Sequence, residues 1–161
     1  MKNLVLLPDE LLFKQSEPVE SINEEIRELA LEMIETMQES NGIGLAGVQV
    51  GHLQRIFVCK PDDVARVFIN PSIIETSVEQ IIYEEGCLSI PGIYSEVERA
   101  SHITVQAWNE KGKPFTLQAD GMLARVILHE YDHLNGVLFL DHLKEKKKEK
   151  LLKQYAAHRG N

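Results

Sequence analysis

Cysteine is scarce in this chain of 161 residues: only Cys59 and Cys87. A lone disulfide is improbable in a reducing compartment, so each thiol needs its own explanation. Long apolar runs are missing as well. Leu4–Leu7 is among the longest, far short of the roughly 20 residues that span a bilayer. The run stops at Pro8-Asp9-Glu10, without the length or the small-residue cleavage site of a secretory signal. The expected location is the cytoplasm, with no membrane partner. Positive charge is in deficit, with 17 Lys and Arg against 25 Asp and Glu and a net charge of −8. That balance argues against sequence-specific nucleic-acid binding or broad binding to phosphate backbones. The one basic cluster, Lys144 to Lys153, is broken by Glu145 and Glu149 and reads as a solvated helix face. There are no repeats and no low-complexity linkers, so residues 1–161 are expected to form a single domain.

What is present is a patterned globular sequence. Ser21-Ile22-Asn23-Glu24 fits a capping box, with Ser21 as N-cap. Ile26, Leu29, Ala30, Met33, Ile34 and Met37 follow at helical spacing, and Asn41-Gly42 supplies a stop. The middle reads as short strands: Arg55 to Cys59, Val67 to Asn70, Ile73 to Ser77, Ile81 to Glu84, Ile103 to Trp108 and Phe115 to Ala119. A second helix is expected from a cap at Asp120 to Asn135-Gly136, and a last amphipathic helix from His142 to Ala157. Helices at the ends and antiparallel-style strands between them predict an α+β fold, with small sheets around a central helix.

That central helix carries His129-Glu130-Tyr131-Asp132-His133, an H-E-x-x-H pattern. Residues i and i+4 share a helix face, so both imidazoles can reach one metal, and Glu130 flanks it within reach of a bound water. This is an arrangement for metal-assisted hydrolysis, in which the carboxylate takes and returns a proton. A catalytic metal needs a third ligand. Phe139 stands where one peptidase class has a third histidine, and His142, Glu145 and Glu149 lie in the lysine-rich segment. Cys87, in Glu85-Gly86-Cys87-Leu88-Ser89-Ile90-Pro91, is the better candidate, since a thiolate binds zinc or ferrous iron well. Pro91 is expected to end any strand there. Cys59, in Ile56-Phe57-Val58-Cys59, reads as a core thiol. Three glycines between Gly42 and Gly47 allow tight backbone geometry before Gln49, whose amide could donate to an oxyanion, as could a backbone N–H beside Cys87.

Three segments, GIGLAGVQ, EGCLS and LHEYDH, together resemble the motifs of the peptide deformylase family, in its order and at similar separations. The likeness extends to Leu7-Pro8-Asp9 and to the stretch from Gly136 to Asp141. The resemblance implies removal of the formyl group from the N-terminal formylmethionine of nascent chains by attack of a metal-bound water. It implies one divalent metal per chain on Cys87, His129 and His133, ferrous iron in cells, with zinc or nickel as substitutes. It assigns Glu130 as general acid/base and Gln49 and the Leu88 N–H as oxyanion donors. It places the methionine side chain near Ile43, Tyr83, Met122, Val126 and His129, adds Gly44 and Arg125 to the substrate-binding residues, and implies transient association with the ribosome. Gly47 and Leu128 depart from the family's usual alanine and glutamine, with only local loosening expected at Gly47. Arg125 stands where aliphatic residues are common, at an expected pocket mouth where it would favour acidic residues along the peptide. Glu85 and Arg99 are expected to pair, either behind Cys87 as its support or as a solvated pair, with Asp132 covering the helix surface and His52 and His102 exposed. The rival readings are a small peptidase with a downstream third ligand and a silent peptide-binding relative; the retained Glu130 argues against the second.

Overall fold

The structure, a computed structural model, describes residues 2–159. Helix α1 spans Glu24–Glu39. Its N-cap is Asn23, whose side chain accepts from the Ile26 N–H, and not Ser21. Asparagine two residues later offers a carbonyl in the same capping geometry, so the helix starts there. Asn41, at φ 58°, takes the left-handed turn that ends it.

Strands β1 (Gly44–Ala46), β2 (Ile56–Cys59), β3 (Arg66–Thr76), β6 (His102–Trp108) and β7 (Pro114–Asp120) form one antiparallel sheet in the order β1-β2-β3-β6-β7. β2 is buried throughout. Its alternate side chains serve two cores: Ile56 and Val58 join Leu29, Met33 and Met37 of α1, and Phe57 and Cys59 join Ala124 and Ile127 of the second helix. The segments 67–70 and 73–77, expected as separate strands, are one strand. Asn70, at φ 50°, and a register shift between Ile69 and Ser72 absorb Pro71. The Asn70 amide also bonds both backbone groups of Val19.

Strands β4 (Gln80–Cys87) and β5 (Ile90–Ala100) form a separate ribbon. Here Pro91 does not end a strand, as its place in the sequence suggested. The register jumps from Gly86↔Tyr94 to Cys87↔Ile90, so Pro91 falls in the bulge, where its missing N–H breaks no ladder bond. The second helix, α2 (Gly121–Leu134), starts where expected, but the Asp120 side chain makes no capping bond. α2 lies between the two β layers, against β1, β2 and β7 on one side and β5 on the other. α3 (Glu145–Arg159) begins later than expected, after a short turn of helix at Phe139–His142. It buries only Leu151 and Tyr155, against the N-terminal residues Leu7 and Leu12 and β5.

Candidate active site

A cavity of about 490 Å³ opens between β1, the ribbon and α2. Three chain segments meet in its wall. α2 presents Val126, His129 and Glu130, the hairpin between β4 and β5 presents Cys87 and Leu88, and β1 with the turn behind it presents Gly44 and Gln49. His133, one helical turn beyond His129, places Nε2 at 3.3 Å from Cys87 Sγ. Sγ and one ring nitrogen of each histidine lie within 4.8 Å of one another.

The second nitrogen of His129 is fixed by a carboxylate. His129 Nδ1 lies 2.9 Å from Glu85 Oε1. An ionised carboxylate only accepts, so Nδ1 carries the hydrogen and Nε2 is left for the cavity side. Glu85 is 7% exposed and saturated: Oε2 also accepts from Arg99 Nε at 2.6 Å and from Arg125 at 2.6 Å, and Oε1 from Arg99 at 3.0 Å. Burial alone would raise its pKa, but hydrogen bonds from His129 and Arg99 more than offset this and hold it at about 2. Arg99 continues to Asp132 at 2.9 Å, which in turn accepts from His142 at 2.8 Å. Asp132 is therefore a partner in this chain of ion pairs and does not merely cover the helix.

Glu130 is 4% exposed, and its Oε1 has no hydrogen-bond partner among the described residues. Its other oxygen lies 4.0 Å from His129 Nε2. Burial is the main cause that pushes its pKa up to about 7, with the His129 charge opposing. A carboxyl poised there can both take and give a proton near neutrality. Burial, followed by the His129 charge, lowers the His133 pKa well below the usual imidazole range, which favours the neutral ring that a metal requires. Burial opposes charge on His129, yet hydrogen bonds to Cys87 and Glu85 raise its pKa well above that range. The surroundings of His129 thus favour positive charge. A cysteine sulfur and two imidazoles, with carboxylates beside them, fit a divalent first-row metal.

Gln49 is 1% exposed and oriented from both ends. Its Oε1 accepts from the Ala46 N–H at 2.9 Å, and Nε2 donates to Ser89 Oγ at 3.1 Å while lying 3.5 Å from Cys87 Sγ. The amide donor thus faces the cysteine.

A polypeptide deformylase family model matches residues 1–149. The chain belongs to this family. Its members are metal-dependent hydrolases that remove the formyl group from N-terminal methionine, and this chain is an enzyme of that class. A peptide deformylase of Borreliella burgdorferi is 49% identical over 98% of this chain and 96% of its own length. One from Treponema pallidum is 48% identical over 98% and 97%. The crystal structure of the Ehrlichia chaffeensis deformylase superposes with a TM-score of 0.94 at 35% identity, covering 99% of this chain and 97% of that one. These likenesses also bear out the α+β fold read from the sequence.

Within the deformylase frame, the structure brings together most of the residues singled out in the sequence. Ile43, Gly44, Gln49, Cys87, Leu88, Met122, Arg125, Val126, His129 and Glu130 all line the cavity, with His133 behind Cys87. Tyr83 does not line it. Its side chain is 54% exposed, and its ring sits 5.8 Å from the Arg125 guanidinium. Arg125 is not a charge at the mouth either. It is 7% exposed and turned onto Glu85 and the carbonyls of Val97 and Ile81, so it cannot offer its charge to an acidic peptide. Gly47 does not loosen its segment: a Cβ there would lie 2.9 Å from the His52 carbonyl oxygen and 3.1 Å from Ile56. His52 itself is half-buried, while His102 is exposed as expected. Cys59 is a core thiol, with burial the main cause of a pKa near 12. The bond from Glu85 to His129 had no signature in the sequence, because the two lie 44 positions apart.

Proposed function

We propose that residues 1–161 act as one catalytic domain that deformylates nascent formyl-methionine peptides, with Cys87, His129 and His133 as the holders of the metal. The observation that carries this reading is the convergence of those three donors beside a buried carboxyl, Glu130, with an unpartnered oxygen. A divalent metal in such a set, when bound, supplies a Lewis acid and brings the pKa of water towards neutrality. Ferrous iron is the proposed working metal in cells, and zinc or nickel suit the same donors.

The chain's own groups do the rest. Glu130 takes a proton from the attacking water and returns it to the departing amine nitrogen. Gln49 Nε2 and the Leu88 N–H donate to the oxygen that gains charge at the formyl carbon. Ile43, Met122 and Val126 receive the unbranched methionine side chain, and Gly44 lets the substrate backbone approach. The proposed setting is the cytoplasm, with transient contact to the ribosome. Among the described residues no helix is long and apolar enough to cross a membrane.

The test is the metal content of anaerobically purified protein together with kcat/KM on formyl-Met-Ala-Ser and acetyl-Met-Ala-Ser. Hydrolysis of the formyl peptide alone, with about one metal per chain, is expected. Equal turnover of both peptides would replace this reading with a broader amide hydrolase.

A further inference from the structure

In α2, the Arg125 side chain enters the charged network around Glu85. One terminal nitrogen donates to Glu85 Oε2 at 2.6 Å and to the Val97 carbonyl at 2.9 Å, and the other donates to the Ile81 carbonyl at 2.7 Å. It thereby ties α2 to both strands of the ribbon and covers the carboxylate that holds His129. Oε2 receives two guanidinium donors, and Oε1 receives Arg99 and the His129 ring N–H. A carboxylate is left with about four acceptor positions, and all four are in use.

We propose that Arg125 is a positioning residue that tunes the metal ligand His129 through Glu85. The inference rests on the metal reading given above. With two guanidiniums on Glu85, its negative charge is shared, and it accepts the His129 Nδ1–H without drawing the proton away. His129 then ligates as a neutral imidazole in one tautomer and one orientation. Without Arg125, Glu85 loses a partner on Oε2 and its charge falls more heavily on His129. The ring then donates more strongly, which moves the d–d bands, and its direction is less fixed, which lets the metal leave sooner. Partners of metal ligands typically change metal affinity or activity by about 10- to 100-fold when altered.

Cobalt(II) provides a readout apart from turnover. Wild type, Arg125→Met and Arg125→Lys would each be loaded with cobalt, and their visible spectra and rates of cobalt loss to a chelator compared. In Arg125→Met the d–d bands should move to higher energy and cobalt loss should quicken by roughly tenfold or more. kcat should fall with little change in KM. Arg125→Lys keeps a cation beside Glu85 and should return the spectrum most of the way to wild type, even though it cannot reach both carbonyls. This variant also decides the matter if Arg125→Met fails to fold: a lysine variant with clearly shifted bands and cobalt loss quickened by roughly tenfold or more would overturn the role given to the charge. A fall in Tm with unchanged bands and unchanged cobalt loss would make Arg125 a purely structural clamp and overturn the inference alone. Failure of wild type to take up cobalt with a thiolate band would overturn the metal reading, and this inference with it.

Discussion

At the scale of single residues, the site depends on one carboxyl and on the absence of one side chain. Glu130 lies beside the donor cluster and is not a member of it. In Glu130→Gln the amide cannot shuttle a proton, so kcat should fall by about 100-fold or more while metal content stays near wild type. Elemental analysis beside kinetics checks this, and a metal-free variant would mean that Glu130 is misassigned. Gly44 makes room for that carboxyl. A Cβ at position 44 would lie 2.5 Å from Glu130 Oε2 and 2.8 Å from Val126 Cγ1. Gly44→Ala should displace the carboxyl and lower kcat on the order of 100-fold, with the metal retained. The candidate ligands and Glu130 were legible because helical spacing and a short cysteine motif are local signals. The roles of Arg125 and Asp132 were not. Each depends on which distant strand or turn its long side chain meets, and on the surface or in the interior an arginine looks the same in sequence.

At the scale of elements, the β4–β5 ribbon and α2 are joined through Glu85. Its pKa is held near 2 in the folded chain against about 4.5 ordinarily. The folded value is the lower one, so this contribution is complete above pH 4.5 and is lost as pH falls from there through 2. The size is on the order of 3 kcal/mol. Urea unfolding of wild type at a series of pH values should show that decline. In Glu85→Gln, stability should be lower at pH 7 and the part of the slope between pH 4.5 and 2 that belongs to this group should vanish. Parallel curves for the two proteins would remove Glu85 from the account. The ribbon also shows where pattern reading failed. Pro91 suggested an end to the strand, but β5 runs to Ala100 because a bulge places the proline where no ladder bond is required. α1 and α2 were read closely, since each carries an apolar face at helical spacing; the capping residue of α1 was displaced, Asp120 makes no capping bond, and α3 starts at Glu145 and not at His142.

At the scale of the whole molecule, the order β1-β2-β3-β6-β7 could not be read from the chain, because alternation shows which face of a strand is buried and not which strand lies beside it. The same holds for the two ends of the protein. Leu7 donates its N–H to the Ser89 carbonyl at 2.9 Å, and its own carbonyl accepts from the Tyr155 hydroxyl at 2.7 Å and from Arg159. Val5 donates to the Gln49 carbonyl at 2.7 Å. The first residues thus lie across the two segments proposed to supply the oxyanion donors. The consequence belongs to time. Amides this close to a chain terminus ordinarily trade hydrogen for deuterium as fast as an unfolded peptide. Those of Val5 and Leu7 should instead persist far longer, with lifetimes that match the amides of the site itself. In Tyr155→Phe the Leu7 amide should exchange faster while the α1 amides keep their pace. Rapid labelling of residues 5 and 7 in the unaltered protein would show that the amino end opens independently of the cavity it borders.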